Sequence, residues 1–82
     1  MKGKILIVDD EPELRQLLKT ILEPDFTVTE AENAAALQKA FSLDAPDVIL
    51  LDLKLPDANG LDLLPQIKKT WPDTEVMDSS MI

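Results

Sequence analysis

Two stretches of this chain are almost wholly apolar, with no polar alternation. Residues 4–8 read KILIV, and residues 48–53 read VILLDL with one carboxylate at Asp52. Continuous apolar runs of this length, bounded by turn residues, predict strands buried on both faces, as in a parallel sheet. Between and after them the period changes. Leu14, Leu17, Leu18, Ile21 and Leu22 recur at i, i+3, i+4, i+7 and i+8, which predicts a helix with one apolar face. It begins near Pro12, suited to a first helical turn, with Asp10 or Glu11 as its cap, and Pro24 and Asp25 stop it.

FTVTEA, residues 26–31, carries β-forming residues with polar alternation and predicts a half-exposed edge strand. Asn33 then caps a helix with Ala34, Leu37, Ala40 and Phe41 on one side. The linker LDAP leads into the strand Val48–Leu53. A third helix is expected over Leu61–Trp71, with Leu61, Leu64, Ile67 and Trp71 on one side and Lys68 and Lys69 near its C-terminus. Pro65 either falls in the first turn of a late-starting helix or kinks one that starts at Gly60. Glu75–Met77 begins a fourth strand that fails at Asp78. The order β-α-β-α-β-α-(β) predicts an α/β fold with parallel strands joined by right-handed crossovers.

The chain has 82 residues, enough for one small domain, and 45% of them are hydrophobic and 29% charged, ordinary values for a globular protein. No apolar run approaches a membrane span, so no membrane association is expected. The chain lacks cysteine and histidine, which excludes disulfides, thiolate chemistry, histidine acid/base catalysis and nearly every structural zinc site. Sixteen Asp and Glu stand against eight Lys and Arg, a formal charge of -8 that repels nucleic-acid backbones. The same balance suits a hard cation such as Mg²⁺.

Both buried strands end in carboxylates at the same sheet edge. Asp9 and Asp10 follow the first, and Asp52 ends the third, where open α/β sheets bind ligands. Aspartates are common in turns and caps, so each alone is a weak signal. The joint pattern is stronger: apolar strand then Asp-Asp, and apolar strand then Asp-x-x-x-Pro-x-x-x-Gly. Three carboxylates on adjacent strand ends repel one another and stay ionised together only around a cation.

At these residues, ILIVDDEP and VILLDLKLPDANGLDLL, the chain resembles the receiver domain of two-component response regulators. The resemblance runs from residue 4 to about residue 76. It implies a flavodoxin-like, doubly wound parallel sheet with strand order 2-1-3-4-5. It further implies that Asp52 accepts a phosphoryl group from a sensor histidine kinase in a phosphorelay. Asp10, Asp52 and the backbone carbonyl of Lys54 would hold Mg²⁺, with Asp9 helping through water. Pro56 and Gly60 would shape the loop after Asp52, and Glu11 would add negative charge at the rim. A receiver takes part in its own phosphotransfer and is not a turnover enzyme, and a cytoplasmic location goes with that role.

The family's fifth strand, the Lys that ends it, and its last two helices have no counterpart in residues 1–82, which are therefore expected to form a truncated receiver domain with order 2-1-3-4. Ser80 falls where the family's switch hydroxyl stands. Without the last helix, side chains of Ile5 or Leu6 and of the third strand are expected to face water, and the chain to form a homo-oligomer through that uncovered sheet face. Two other readings compete. One is a pseudo-receiver used for dimerisation or partner binding without phosphotransfer. The other is a phosphatase of the haloacid dehalogenase type, which wants a second acid two residues after the Asp, where this chain has Lys54.

Overall fold

In the computed structural model, described over residues 2–79, seven elements follow one another along the chain. They are β1 (Gly3–Val8), α1 (Pro12–Leu22), β2 (Phe26–Ala31), α2 (Ala34–Ala40), β3 (Val48–Leu51), α3 (Gly60–Thr70) and β4 (Glu75–Asp78). The strands form one parallel sheet in the order β2-β1-β3-β4. FTVTEA is an edge strand, as its alternation predicts, and the two continuous apolar runs lie at the centre.

Pleating sends alternate residues of the central strands into two cores. Leu6, Val8, Ile49 and Leu51 pack with Leu37 of α2, Leu63 and Ile67 of α3, and Trp71. Phe41 meets Trp71 edge to face, with ring centroids 4.9 Å apart. On the other face Ile5, Ile7 and Leu50 pack under Leu18 of α1, with Leu14 and Leu22 beside it. A single helix is thus enough to bury this face over β1 and β3. Ile5, Leu6 and Leu50 are each at most 5% exposed, contrary to the expectation that they face water.

The apolar surface left open lies elsewhere. Leu17 and Ile21 are more than half exposed, so the apolar face of α1 is narrower than its leucine spacing suggests. With Leu14, Leu18 and Leu22 set on the sheet, Arg15 and Lys19 fall on the side of α1 toward Glu30 of β2, and Leu17 and Ile21 fall on the opposite side. Met77 is 42% exposed beside Leu50, on the α1 side of the sheet.

Several local expectations change. α1 has Glu11 at its N-cap position but no side-chain cap; the Glu11 N–H instead goes to Asp9 Oδ1 at 2.8 Å. α2 ends at Ala40, with Phe41 as its C-cap. α3 starts at Gly60 and holds Pro65 inside it, and its buried side is Gly60, Leu63 and Ile67, while Leu61 is exposed. Trp71 is buried just past the helix end. β3 closes at Leu51, so Asp52 stands one residue beyond the strand. β4 runs through Asp78, which pairs with Leu51, because ladder bonds belong to the backbone and an edge position tolerates a half-buried carboxylate.

Two tethers missing from the sequence reading bring the strand starts together. Asp47 Oδ2 accepts the Lys4 N–H at 2.7 Å, and its carbonyl accepts the Glu75 N–H at 3.0 Å. Thr74, buried, donates from Oγ1 to the Pro46 carbonyl at 2.7 Å.

Ile49→Ala, in the sealed core between β3 and the α2/α3 layer, is expected to cost about 2–5 kcal/mol of unfolding free energy in urea titration. Leu61→Ala is expected to cost less than about 1 kcal/mol because that side chain is already in water.

Candidate functional site

Val8 and Leu51 are register partners, so β1 and β3 end side by side. The residue after each is an aspartate. Asp9 N donates to the Ala31 carbonyl at 3.0 Å and Asp52 N donates to the Val8 carbonyl at 2.8 Å, which carries the sheet pairing one step into both loops. Asp9, Asp10 and Asp52 consequently offer carboxylate oxygens that all lie within 4.8 Å of one another. The three differ in environment: Asp9 is buried at 2% exposure, Asp52 is half-buried and Asp10 is exposed.

Burial pushes the Asp9 carboxyl above its ordinary range; the Glu11 N–H bond opposes that, and the negative charges of Asp52 and Asp10 add to it. The Arg15 guanidinium pulls the other way. Arg15 Nη1 also donates to the Asp9 carbonyl at 2.6 Å while Nε reaches Glu30 Oε1 at 3.3 Å, so one side chain pins the turn after β1 to β2. The regular leucine spacing of α1 hid this role, since Arg15 reads there as a solvated polar position.

The loop after Asp52 is closed on itself. Lys54 N donates to Asp52 Oδ1 at 2.9 Å, which sets the rotation of that carboxylate. Gly60 N donates to the Leu53 carbonyl at 2.9 Å, and Lys54 and Asn59 form an antiparallel bridge. Asn59 Oδ1 accepts the Leu61 N–H at 3.0 Å and so starts α3. A Cβ at Gly60 would lie 2.6 Å from the Asp52 carbonyl oxygen and 2.7 Å from Leu53 Cα, so the close return of the chain requires glycine. Pro56 is exposed near the tip of the loop, while Leu55 is buried. Glu11 is exposed at the rim of the acidic cluster. Ser80 lies outside the described residues.

Three carboxylates at this spacing are hard oxygen donors that fit a divalent cation of the Mg²⁺ class, which accepts a few protein oxygens and keeps waters. The family model described as response regulator receiver domain matches residues 5–81. The chain belongs to that family. Among curated relatives, the transcriptional regulatory protein KdpE of Staphylococcus aureus is 44% identical over 70 residues, a match covering 84% of this chain and 30% of that protein. The chain therefore spans about a third of the length of that relative.

A CheY-like receiver domain protein from Methanospirillum hungatei superposes with a TM-score of 0.87 at 31% identity, covering 93% of this chain and 62% of the other. The response regulator TrrA from Thermotoga maritima, solved in complex with Mg²⁺ and a beryllium fluoride, gives 0.81 at 38% identity over 93% and 66%. These neighbours share the α/β flavodoxin-like architecture of this receiver chain.

Two outcomes follow from the geometry. Gly60→Ala is expected to destabilise the chain by about 1–3 kcal/mol, read by urea titration, because both obstructing atoms are backbone. The raised Asp9 pKa means the folded state binds its proton more tightly than the unfolded state, so this residue favours folding at low pH. That contribution is lost as pH rises from the ordinary carboxylate range through the folded pKa. In chelator, Asp9→Asn is expected to be more stable than the parent at neutral pH, with the difference shrinking on acidification. A difference independent of pH would contradict it.

Proposed function

We propose that this receiver chain is a cytoplasmic phosphoacceptor in a two-component phosphorelay, with Asp52 taking a phosphoryl group from a sensor histidine kinase. The single observation that carries this reading is the convergence of Asp9, Asp10 and Asp52 at the carboxyl edge of the sheet. Asp10, Asp52 and the Lys54 carbonyl would hold Mg²⁺, with Asp9 acting through water. The cation supplies charge neutralisation on the transferring phosphoryl oxygens. A carboxylate oxygen of Asp52 forms the new bond to phosphorus as the bond to the donor nitrogen breaks, and that electron pair returns to the donor imidazole. The Lys54 N–H on Asp52 Oδ1 orients the carboxylate for in-line attack.

The chain does not turn over a substrate in this role. The acidic surface suits a protein donor rather than nucleic acid. No helix among the described residues is long and apolar enough to cross a membrane. Residues 1–82 act as one receiver domain in this reading, and copies associate through the exposed apolar side chains Leu17, Ile21 and Met77.

Incubation with Mg²⁺ and a small acyl phosphate is expected to give a base-labile adduct that Asp52→Ala loses. Absence of labelling in the parent chain would favour a phosphorylation-incompetent receiver used for partner binding. Mg²⁺ at ten times its dissociation constant is expected to stabilise the fold by about 1.4 kcal/mol, and less so in Asp52→Asn. An equal melting shift in both proteins would remove Asp52 from the metal site. Light scattering at micromolar concentration is expected to give a mass above one chain, falling toward one chain in Leu17→Glu/Ile21→Glu.

A further inference from the structure

The tip of the 52–60 loop carries a carboxylate outside the acidic cluster. Asp57 Oδ1 accepts the Ala34 N–H at 2.8 Å and Asp57 Oδ2 accepts the Ala35 N–H at 3.0 Å. These are the first two amides of α2, which have no partner within their own helix. The helix also has a local cap, since Asn33 Oδ1 accepts the Ala36 N–H at 2.8 Å. Three successive amides are thus satisfied, two of them by a residue more than twenty positions further along the chain. Those bonds hold the Asp57 carboxyl below the ordinary carboxylate range, so it is ionised at neutral pH.

A two-oxygen grip on adjacent amides sets direction as well as distance. The base of the loop is held to β3 by the Gly60 bond to Leu53 and by the Lys54–Asn59 bridge. Leu55 anchors the middle by burial, but apolar contact has no preferred direction. Asp57 adds that direction at the tip. Its partner, α2, follows Ala31, whose carbonyl binds Asp9 N. The loop containing Lys54 and the turn containing Asp9 are therefore referred to the same β2–α2 junction.

We propose that Asp57 is a positioning residue: by clamping the tip of the 52–60 loop to the start of α2, it fixes the Lys54 backbone carbonyl relative to Asp9, Asp10 and Asp52 and so raises divalent-cation affinity. The affinity part rests on the metal-site reading above; the clamping part does not.

The experiment compares Asp57→Ala with Asn33→Ala, since each removes side-chain caps from α2 but only the first releases the loop. Amide hydrogen exchange without metal is expected to quicken at Lys54 and Gly60 in Asp57→Ala and to stay at the parent rate there in Asn33→Ala. The Mg²⁺ dissociation constant from calorimetric titration is expected to rise about tenfold or more in Asp57→Ala. It is expected to rise less in Asp57→Asn, which keeps one acceptor oxygen and serves where the alanine variant does not fold, and to stay unchanged in Asn33→Ala. Equal exchange in the two alanine variants, or a Mg²⁺ affinity that Asp57→Ala leaves unchanged, overturns the proposal. If the parent chain does not bind Mg²⁺, the metal-site reading and the affinity claim fall together, and the exchange comparison decides the clamp alone.

Discussion

The arrangement depends on the parallel register of β1 and β3. Because Val8 pairs with Leu51, the next residue on each strand faces the other across the sheet edge, and both are aspartates. Like charges at this distance oppose folding unless neutralised. Asp9 is the buried member of the group, and burial first, with the charges of Asp52 and Asp10 added to it, holds its carboxyl above the ordinary range. The packing that enforces the register is the double core: Val8, Ile49 and Leu51 on one face, Ile7 and Leu50 on the other. Burial of those side chains offsets a repulsion that the loops alone would relieve by moving apart.

Around that edge directional bonds tie the loops, beside the apolar anchoring of Leu55 in the core. Arg15 joins the turn after β1 to Glu30 of β2, the Gly60 return closes the loop after β3, and Asp57 holds the tip of that loop to α2. Each bond is short-range and sensitive to orientation, which is the property a site needs when its donors come from separate segments. The apolar cores supply stability and the polar ties supply geometry. The open surface at Leu17, Ile21 and Met77 lies on the other side of the sheet from α2 and α3.

The architecture and the acidic cluster were legible because each follows from a local pattern. Continuous apolar runs mark the central strands, the alternation of FTVTEA marks an edge, and aspartates at the ends of buried strands meet wherever those strands pair. The helix faces were less legible. Leu17 and Ile21 have the spacing of core residues, yet α1 sets Leu14, Leu18 and Leu22 on the sheet and leaves those two beside it in water. Leu61 similarly looks like core, but α3 begins at Gly60 and turns Leu63 inward instead. Single-residue periodicity defines a stripe and leaves its rotation against the sheet open by a residue or so.

By itself, the sequence determined the alternation of strands and helices, the parallel sheet, and the three carboxylates at its edge, since hydrophobic period and chain order suffice for these. Only the tertiary structure decided that one helix covers Ile5, Ile7 and Leu50, that Asp9 rather than Asp10 is the buried acid, and that Asp57, Arg15 and Asp47 act as ties. Asp57 and Asp47 bond groups more than twenty residues away and Arg15 reaches Glu30, and such partners leave no periodic signal. A carboxylate at a loop tip reads as a solvated turn residue until the fold brings two free amides within 3.0 Å of it.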